Sequence, residues 1–121
     1  MAALSRIAPE LPSTNLDNAT AYYEEKLGFE VAMRLPGNEY AIVERDGVAI
    51  HLFVDEASKS SPVGVHIFTS DLDHLYVELQ ASGATITQKI ERKPWGNRDF
   101  RVRDQFGNEL KFSEQLESQT A

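Results

Sequence analysis

The side chains in this 121-residue chain that could carry chemistry are few and widely spaced. There are three histidines, His51, His66 and His74, and no cysteine. The missing thiols remove disulfides, cysteine nucleophiles and structural zinc fingers, and they are compatible with a reducing compartment. The sequence holds no Gly-x-Ser-x-Gly elbow, no phosphate loop and no His-Glu-x-x-His helix. His74 falls in the first turn of an expected helix and reads as solvent-facing, and the neighbouring acids Glu24 and Glu25 read as helix-surface charges. Recognition chemistry has a firmer footing. The only tryptophan, Trp95, stands between Pro94 and Gly96, in a turn where no core would hold it. Large aromatics ordinarily bury much of their area, so one on a turn implies a partner to stack on.

Bulk properties narrow the partners. A length of 121 residues corresponds to one domain able to bury a real core, and 41% hydrophobic with 26% charged residues is ordinary for a globular chain. The formal net charge of −7 argues against a nucleic-acid surface and against anionic membrane. It fits a plain solvated surface, and equally a binder of cationic small molecules. The start, MAALSRIAPEL, lacks a basic segment followed by an apolar run, so no secretory signal is expected. The longest largely apolar run, Val48 to Val54, contains His51 and is too short to span a bilayer. A cytoplasmic location is the expectation, and the acceptor-like triplet Asn18-Ala19-Thr20 is set aside because it lies in an expected helix.

The elements that must position these residues follow from punctuation and periodicity. Ile7 to Leu11 reads as a short strand whose flanking prolines, Pro9 and Pro12, favour an edge or exchanged position. Asn15 caps a helix with Leu16, Ala19, Tyr23 and Leu27 at helical spacing, ended by Gly28. Strands are expected over Phe29 to Leu35, Tyr40 to Arg45 and Val48 to Val54, with turns at Pro36-Gly37-Asn38 and Asp46-Gly47. Residues 55–62 read as a linker.

The pattern then repeats. Val65 to Thr69 is a strand; Ser70 or Asp71 caps a helix carrying Leu72, Leu75 and Leu79, stopped by Gly83. Strands follow at Thr85 to Arg92, Asp99 to Asp104 and Glu109 to Ser113, with turns at Pro94 to Asn97 and at Gly107-Asn108. Matching landmarks recur at a spacing of about 55 to 60 residues, so one βαβββ unit is used twice. The expected fold is α+β: two tandem βαβββ modules, about 3–54 and 63–114, forming a curved mixed sheet with helices on its outer face. A polar, frayed tail is expected from Gln115.

Alternation within the strands separates two faces. Ile50, Leu52, Val65, Ile67, Leu110 and Phe112 share one parity and suit a core under the helices. The other parity carries Ala49, His51 and Phe53, then Gly64, His66 and Phe68, then Glu109, Lys111 and Ser113. A face mixing aromatic, small and ionisable groups suits the lining of a cavity. A solvated outer face would explain Glu109 and Lys111 but would leave Phe53 and Phe68 exposed. Lys111 reads as a rim charge before an anion contact, and Arg101 and Arg103 read as a half-exposed strand before a ligand contact.

The words PWGNRDF and RDQFGNELKF, set in a doubled βαβββ unit, resemble the vicinal-oxygen-chelate superfamily of glyoxalase-like enzymes, extradiol dioxygenases and antibiotic-resistance proteins. Pro9 with Leu11, Leu27-Gly28-Phe29, Leu72-Asp73 with Leu75-Tyr76, Arg98-Asp99-Phe100 and Arg103-Asp104 with Gly107-Asn108 extend the resemblance over almost the whole chain. The Pro94-Trp95-Gly96 turn brings it closest to the bleomycin resistance proteins. That resemblance implies a stacking role for Trp95 with Tyr40 opposite it, and cavity-lining roles for His51, Phe53, His66 and Phe68, with Lys111 on the same face. It also implies a homodimer whose N-terminal strand is exchanged near Pro9, with a ligand crevice at each side of the dimer interface.

The superfamily's enzymes hold a divalent metal at positions that correspond here to Ala8, His51, Gly64 and Lys111. Only His51 is a ligand, because alanine and glycine bring no donor and a lysine ammonium has no lone pair. His66, one pleat from Gly64, is a weak replacement. The expectation is therefore a protein without cofactor or catalytic residues that sequesters a bleomycin-type cationic glycopeptide unmodified. The alternatives are a metal-dependent glyoxalase-like isomerase or thiol transferase, or a paralogue binding another planar metabolite. His66, standing where a bulkier aromatic is common, and Gln105-Phe106, replacing a Pro-containing turn, favour the latter.

Overall fold

Each helix begins where a short polar side chain can satisfy backbone donors that helix ends leave free. In the computed structural model, which describes residues 2–55 and 61–114, Asn15 Oδ1 accepts from the Asn18 amide at 2.9 Å and opens α1 (Leu16–Glu25). Asp71, rather than Ser70, accepts from the His74 amide at 3.3 Å and opens α2 (Leu72–Ser82). Gly83 closes α2 with φ of 88°, a left-handed conformation that glycine adopts without steric cost.

The strands are β1 (Glu10–Ser13), β2 (Glu30–Arg34), β3 (Tyr40–Arg45), β4 (Val48–Val54), β5 (Gly64–Thr69), β6 (Thr85–Arg92), β7 (Arg98–Arg103) and β8 (Glu109–Glu114). They form two four-stranded mixed sheets, ordered β1-β4-β3-β2 and β5-β8-β7-β6. In both, the first strand runs parallel to the last and the remaining pairs are antiparallel. The α+β architecture of tandem βαβββ units is therefore present, one sheet to a module. No helix among the described residues is long and apolar enough to cross a membrane. Residues 56–60 of the expected linker and the tail from Gln115 lie outside the described residues.

The first strand starts at Glu10, later than the apolar run from Ile7 suggests, and Ile7 is 96% exposed. β1 lies at the edge of its sheet, as a strand containing Pro12 requires. The alternation resolves as expected on the core side. Ala41, Val43, Ile50 and Leu52 of the first sheet and Phe100, Val102, Leu110 and Phe112 of the second are buried against both helices. Each of these side chains larger than alanine contributes about 1.5–3 kcal/mol when fully buried.

The modules meet at two seams related by the repeat. At one seam α1 reaches the β7–β8 turn. The Tyr22 hydroxyl donates to the Arg103 carbonyl at 2.9 Å and accepts from the Thr85 amide at 3.0 Å. The Tyr23 hydroxyl donates to Asp104 Oδ2 at 3.0 Å, and burial, followed by the Asp104 carboxylate, pushes the Tyr23 phenol well above its ordinary pKa. Asn108, fully buried, donates from Nδ2 to the Pro12 carbonyl at 2.8 Å and to Asp104 Oδ2 at 2.9 Å, and its Oδ1 accepts from the Val63 amide at 2.9 Å. At the other seam Arg45, on the β3–β4 hairpin, grips Glu78 of α2 through two hydrogen bonds of 2.7 and 2.8 Å and donates to the Leu27 carbonyl. A hollow of about 550 Å³ remains there.

The tyrosine seam sets a stability expectation. Asn108→Ala leaves the Pro12 carbonyl and the Val63 amide without their partner, and stranded buried polar groups cost about 1–3 kcal/mol each. Denaturant unfolding of Asn108→Ala is expected to show a loss of about 2–4 kcal/mol, with Tyr23→Phe losing about 1–2 kcal/mol. A change below about 0.5 kcal/mol in Asn108→Ala, the level of an ordinary surface substitution, contradicts the assignment.

Candidate functional site

On the first sheet, the face turned away from the helices is built by register. Glu10 of β1 pairs with His51 of β4, which pairs with Ile42 of β3; in the next row Pro12 pairs with Phe53 and Phe53 with Tyr40. Side chains directly opposite on one face lie close enough to interact. The Tyr40 hydroxyl sits 2.6 Å from Glu10 Oε2 and 2.7 Å from His51 Nδ1, with the two rings edge-on at 5.6 Å. When the phenol gives its single proton to Glu10, His51 must donate from Nδ1. Its Nε2 is then a bare acceptor, and that atom is buried without a hydrogen-bond partner. Burial, followed by Glu10, pushes the Tyr40 phenol up to about 12.

On the second sheet, His66, Lys111 and Arg101 form one row across β5, β8 and β7. His66 stacks on Phe68 at 4.3 Å between ring centroids, and its Nε2 lies 2.6 Å from Ser113 Oγ. Burial and the charge of Lys111 hold the His66 imidazole below its ordinary pKa, against a smaller opposing pull from Asp99. Phe68 is half exposed. A hollow of about 300 Å³ opens beside Gly64, His66, Arg101, Glu109 and Lys111.

Trp95 rides on the β6–β7 turn and is 70% exposed. The turn that carries it is tightly tied. The Gly96 amide donates to the Lys93 carbonyl at 2.9 Å, the Lys93 amide to the Asn97 carbonyl at 2.8 Å, and Arg92 Nη1 to the Gly96 carbonyl at 2.7 Å. Gly96 has φ of 107°, beyond the reach of a side-chain-bearing residue without strain. The Lys93 ammonium reaches back to Gln88 Oε1 at 3.2 Å and Asp99 Oδ1 at 3.6 Å. The indole is thus held out into solvent by a rigid support.

The seven residues singled out from the sequence fall into three places. Tyr40, His51 and Phe53 come together on the first sheet, His66, Phe68 and Lys111 on the second, and Trp95 stands on its turn. Among the described residues no ring contact joins Tyr40 to Trp95. Glu10 escaped the sequence reading because its role depends on where β1 starts. The row through Arg101 escaped because register between strands is not written in either strand alone. The positions at which the superfamily's enzymes bind metal do not fit one here: Ala8 and Gly64 bring no donor and Lys111 no lone pair. Among the described residues no cluster of three or more histidine or carboxylate groups is placed to hold an ion.

Comparisons with known proteins agree with this architecture. The sequence matches, over residues 4–112, the family described as the Glyoxalase/Bleomycin resistance protein/Dioxygenase superfamily. Among solved structures, TioX from Micromonospora sp. ML1 is 26% identical with a TM-score of 0.81, over 93% of this chain and 99% of that one. A bleomycin-binding protein complexed with bleomycin is 22% identical with a TM-score of 0.79, over 93% of this chain and 100% of that one. Lactoylglutathione lyase from Agrobacterium tumefaciens is 21% identical with a TM-score of 0.74, over 93% and 95%. No curated protein matches the sequence.

The Glu10–Tyr40–His51 contact is testable without a ligand. In a spectrophotometric titration of the tyrosines, Tyr40→Phe is expected to remove a phenol that ionises near pH 12, and Glu10→Gln to bring that phenol down. Because the folded pKa is the raised one, this contribution to stability is present below about pH 10 and is lost as pH rises towards 12. A Tyr40 phenol that ionises like a free tyrosine contradicts the contact.

Proposed function

This chain belongs to the Glyoxalase/Bleomycin resistance protein/Dioxygenase superfamily, and on that premise we propose that it is a binding protein that sequesters a bleomycin-type cationic glycopeptide without modifying it. The observation that carries the reading is Trp95. A rigid turn holds a large aromatic in water, where its area gains nothing for the fold, and a flat ring so placed is a stacking platform for a planar heteroaromatic. The net charge of −7 supports it further, because a negative field raises the local concentration of a cation. The ligand-facing residues in this proposal are Tyr40, His51, Phe53, His66, Phe68, Trp95 and Lys111.

The sequestering unit is proposed to be a homodimer with the segment before Glu10 exchanged about Pro9. Leu4 and Ile7 in that segment are almost fully exposed, at 101% and 96%, so two apolar side chains stand uncovered within a single chain. A second subunit would cover them, and would bring Tyr40 of one chain towards Trp95 of the other. Sedimentation at micromolar concentration is expected to give twice the chain mass; a monomer there removes the exchange and the shared crevice together.

A second reading, a metal-dependent glyoxalase-like or thiol-transferase enzyme, draws support from one atom, the buried and unpartnered Nε2 of His51. A single imidazole falls short of the three protein donors that such a centre needs. Stoichiometric nickel, zinc, manganese or iron in the purified protein would favour this reading over sequestration.

Calorimetric titration with bleomycin is expected to show micromolar or tighter binding with quenching of the Trp95 fluorescence. Trp95→Ala is expected to weaken binding about tenfold, the equivalent of one stacked aromatic contact. Absence of heat together with unchanged fluorescence at micromolar drug sinks the proposal.

A further inference from the structure

Across β5, β8 and β7 the chain places three basic side chains in one row. His66 is directly opposite Lys111, and Lys111 is directly opposite Arg101. The imidazole of His66 is biased to its neutral form, but Lys111 and Arg101 are like charges directly opposite, which destabilises a sheet unless carboxylates relieve them. Among the described residues Glu109 is the carboxylate that lines this hollow, with Asp99 two residues from Arg101 already engaged by Gln88 and Lys93, and both oxygens of Glu109 are taken. Oε1 takes Arg101 Nη1 at 3.2 Å, and Oε2 takes Arg103 Nη2 at 3.5 Å. Lys111 has neither a hydrogen bond nor an ion pair among the described residues. Arg101 Nε is buried with no partner. In a chain whose net charge is −7, a lysine left unpaired beside a half-satisfied arginine is a local arrangement rather than a consequence of composition.

The row also borders open space. The hollow of about 300 Å³ is lined by Gly64, Val65, His66, Arg101 and Lys111, with Glu109 held against the arginines. At Gly64 a side chain would have met nothing closer than the Glu109 carbonyl at 4.0 Å, so the absence of a Cβ widens the hollow without any crowding to explain it. A rim lysine would pair with an acid or trail into solvent from the end of a row. Lys111 is central in its row, partly buried and unpaired. Unsatisfied donors of positive charge, converging on a cavity, make a receptor for a negative oxygen.

We propose that this hollow is a subsite for an anionic oxygen group, a carboxylate, phosphate or sulfate, carried by the ligand, with Lys111 and Arg101 as its donors. The inference rests on the binding-protein reading and refines it. The first sheet presents the Glu10 carboxylate on its own ligand-facing side, against the Tyr40 hydroxyl. The two faces therefore differ in sign. The ligand class they suit is a planar aromatic with cationic and anionic ends, rather than a simple cation.

The test uses the intact protein with benzoate and inorganic phosphate as separate probes, followed by amide NMR shifts and calorimetry. At least one probe is expected to bind, shifting amides of β5, β7 and β8. Lys111→Gln is expected to weaken it about tenfold, and Lys111→Arg to stay within about threefold of the parent, because the charge is retained. Tighter binding of benzoate identifies a carboxylate on a ring; tighter binding of phosphate identifies a phosphoryl or sulfuryl group. Lys111→Gln should fold at least as stably as the parent without anion, since it removes repulsion, and a normal thermal transition verifies this. If neither probe binds, or if Lys111→Gln binds like the parent, the subsite is overturned. Bleomycin titration of the same samples keeps the readings apart. Drug binding without probe binding sinks the subsite alone, and probe binding through Lys111 without drug binding sinks sequestration alone.

Discussion

A carboxylate in an interior must be surrounded by donors or it costs more than a small domain can spare. Asp104, only 5% exposed, meets that condition fully. Its oxygens receive the Tyr23 hydroxyl, the amides of Phe106 and Asn108, and the Asn108 side-chain amide. Asn108 in turn holds the Pro12 carbonyl and the Val63 amide. The knot therefore pins β1, the entry to β5 and the β7–β8 turn to one another, with α1 fastened above by Tyr22. Everything presented on the ligand-facing sides inherits its position from these bonds. Glu10 reaches Tyr40 because β1 is fixed two residues further along, and Lys111 lies opposite His66 because β5 and β8 share a register that the same knot terminates.

The two sheets use the same strand order for different surface chemistry. On the first, a phenol, an imidazole and a carboxylate are linked in a short chain of hydrogen bonds that leaves the buried His51 Nε2 without a partner. On the second, the row of basic groups is left unsatisfied at Lys111 and at Arg101 Nε. At the end of the β6–β7 hairpin of the second sheet stands a turn whose backbone is tied at each end and whose indole is tied to nothing. Preorganisation of this sort lowers the entropy lost on binding. A wall that already has its rotamers and its charges in place needs little rearrangement to receive a ligand.

Much of this was legible in the sequence, for identifiable reasons. Caps and turns depend on local chemistry, so Asn15, Asp46-Gly47 and Gly83 could be assigned from their neighbours alone, while the second helix cap was narrowed to Ser70 or Asp71. Alternation separated the core face from the mixed face because strand side chains have a fixed period. Trp95 stood out because a turn offers no burial. The first strand was displaced towards the apolar Ile7, since an edge strand of four residues carries too little pattern to fix its own ends, and Pro12 argued against extending it. The seams could not be read at all. Tyr22 and Tyr23 look like any aromatic pair on a helix, and only the tertiary fold reveals which carbonyl and which carboxylate they meet. Nor does one chain bring Tyr40 and Trp95 together, because they belong to different sheets.

The repeat has one further consequence, at the seams. The helix that carries Tyr22 and Tyr23 is matched in the second copy by one that carries Glu78 and Leu79. Where the first seam is closed by buried hydroxyls, the second is closed by an exposed ion pair over a hollow. The two halves have ceased to be interchangeable. A tyrosine moved to position 78, or a glutamate to position 22, would meet the wrong surface. The polypeptide is in effect a heterodimer with its subunits spliced end to end, each half keeping the strand order while the two seams that join them carry different chemistry.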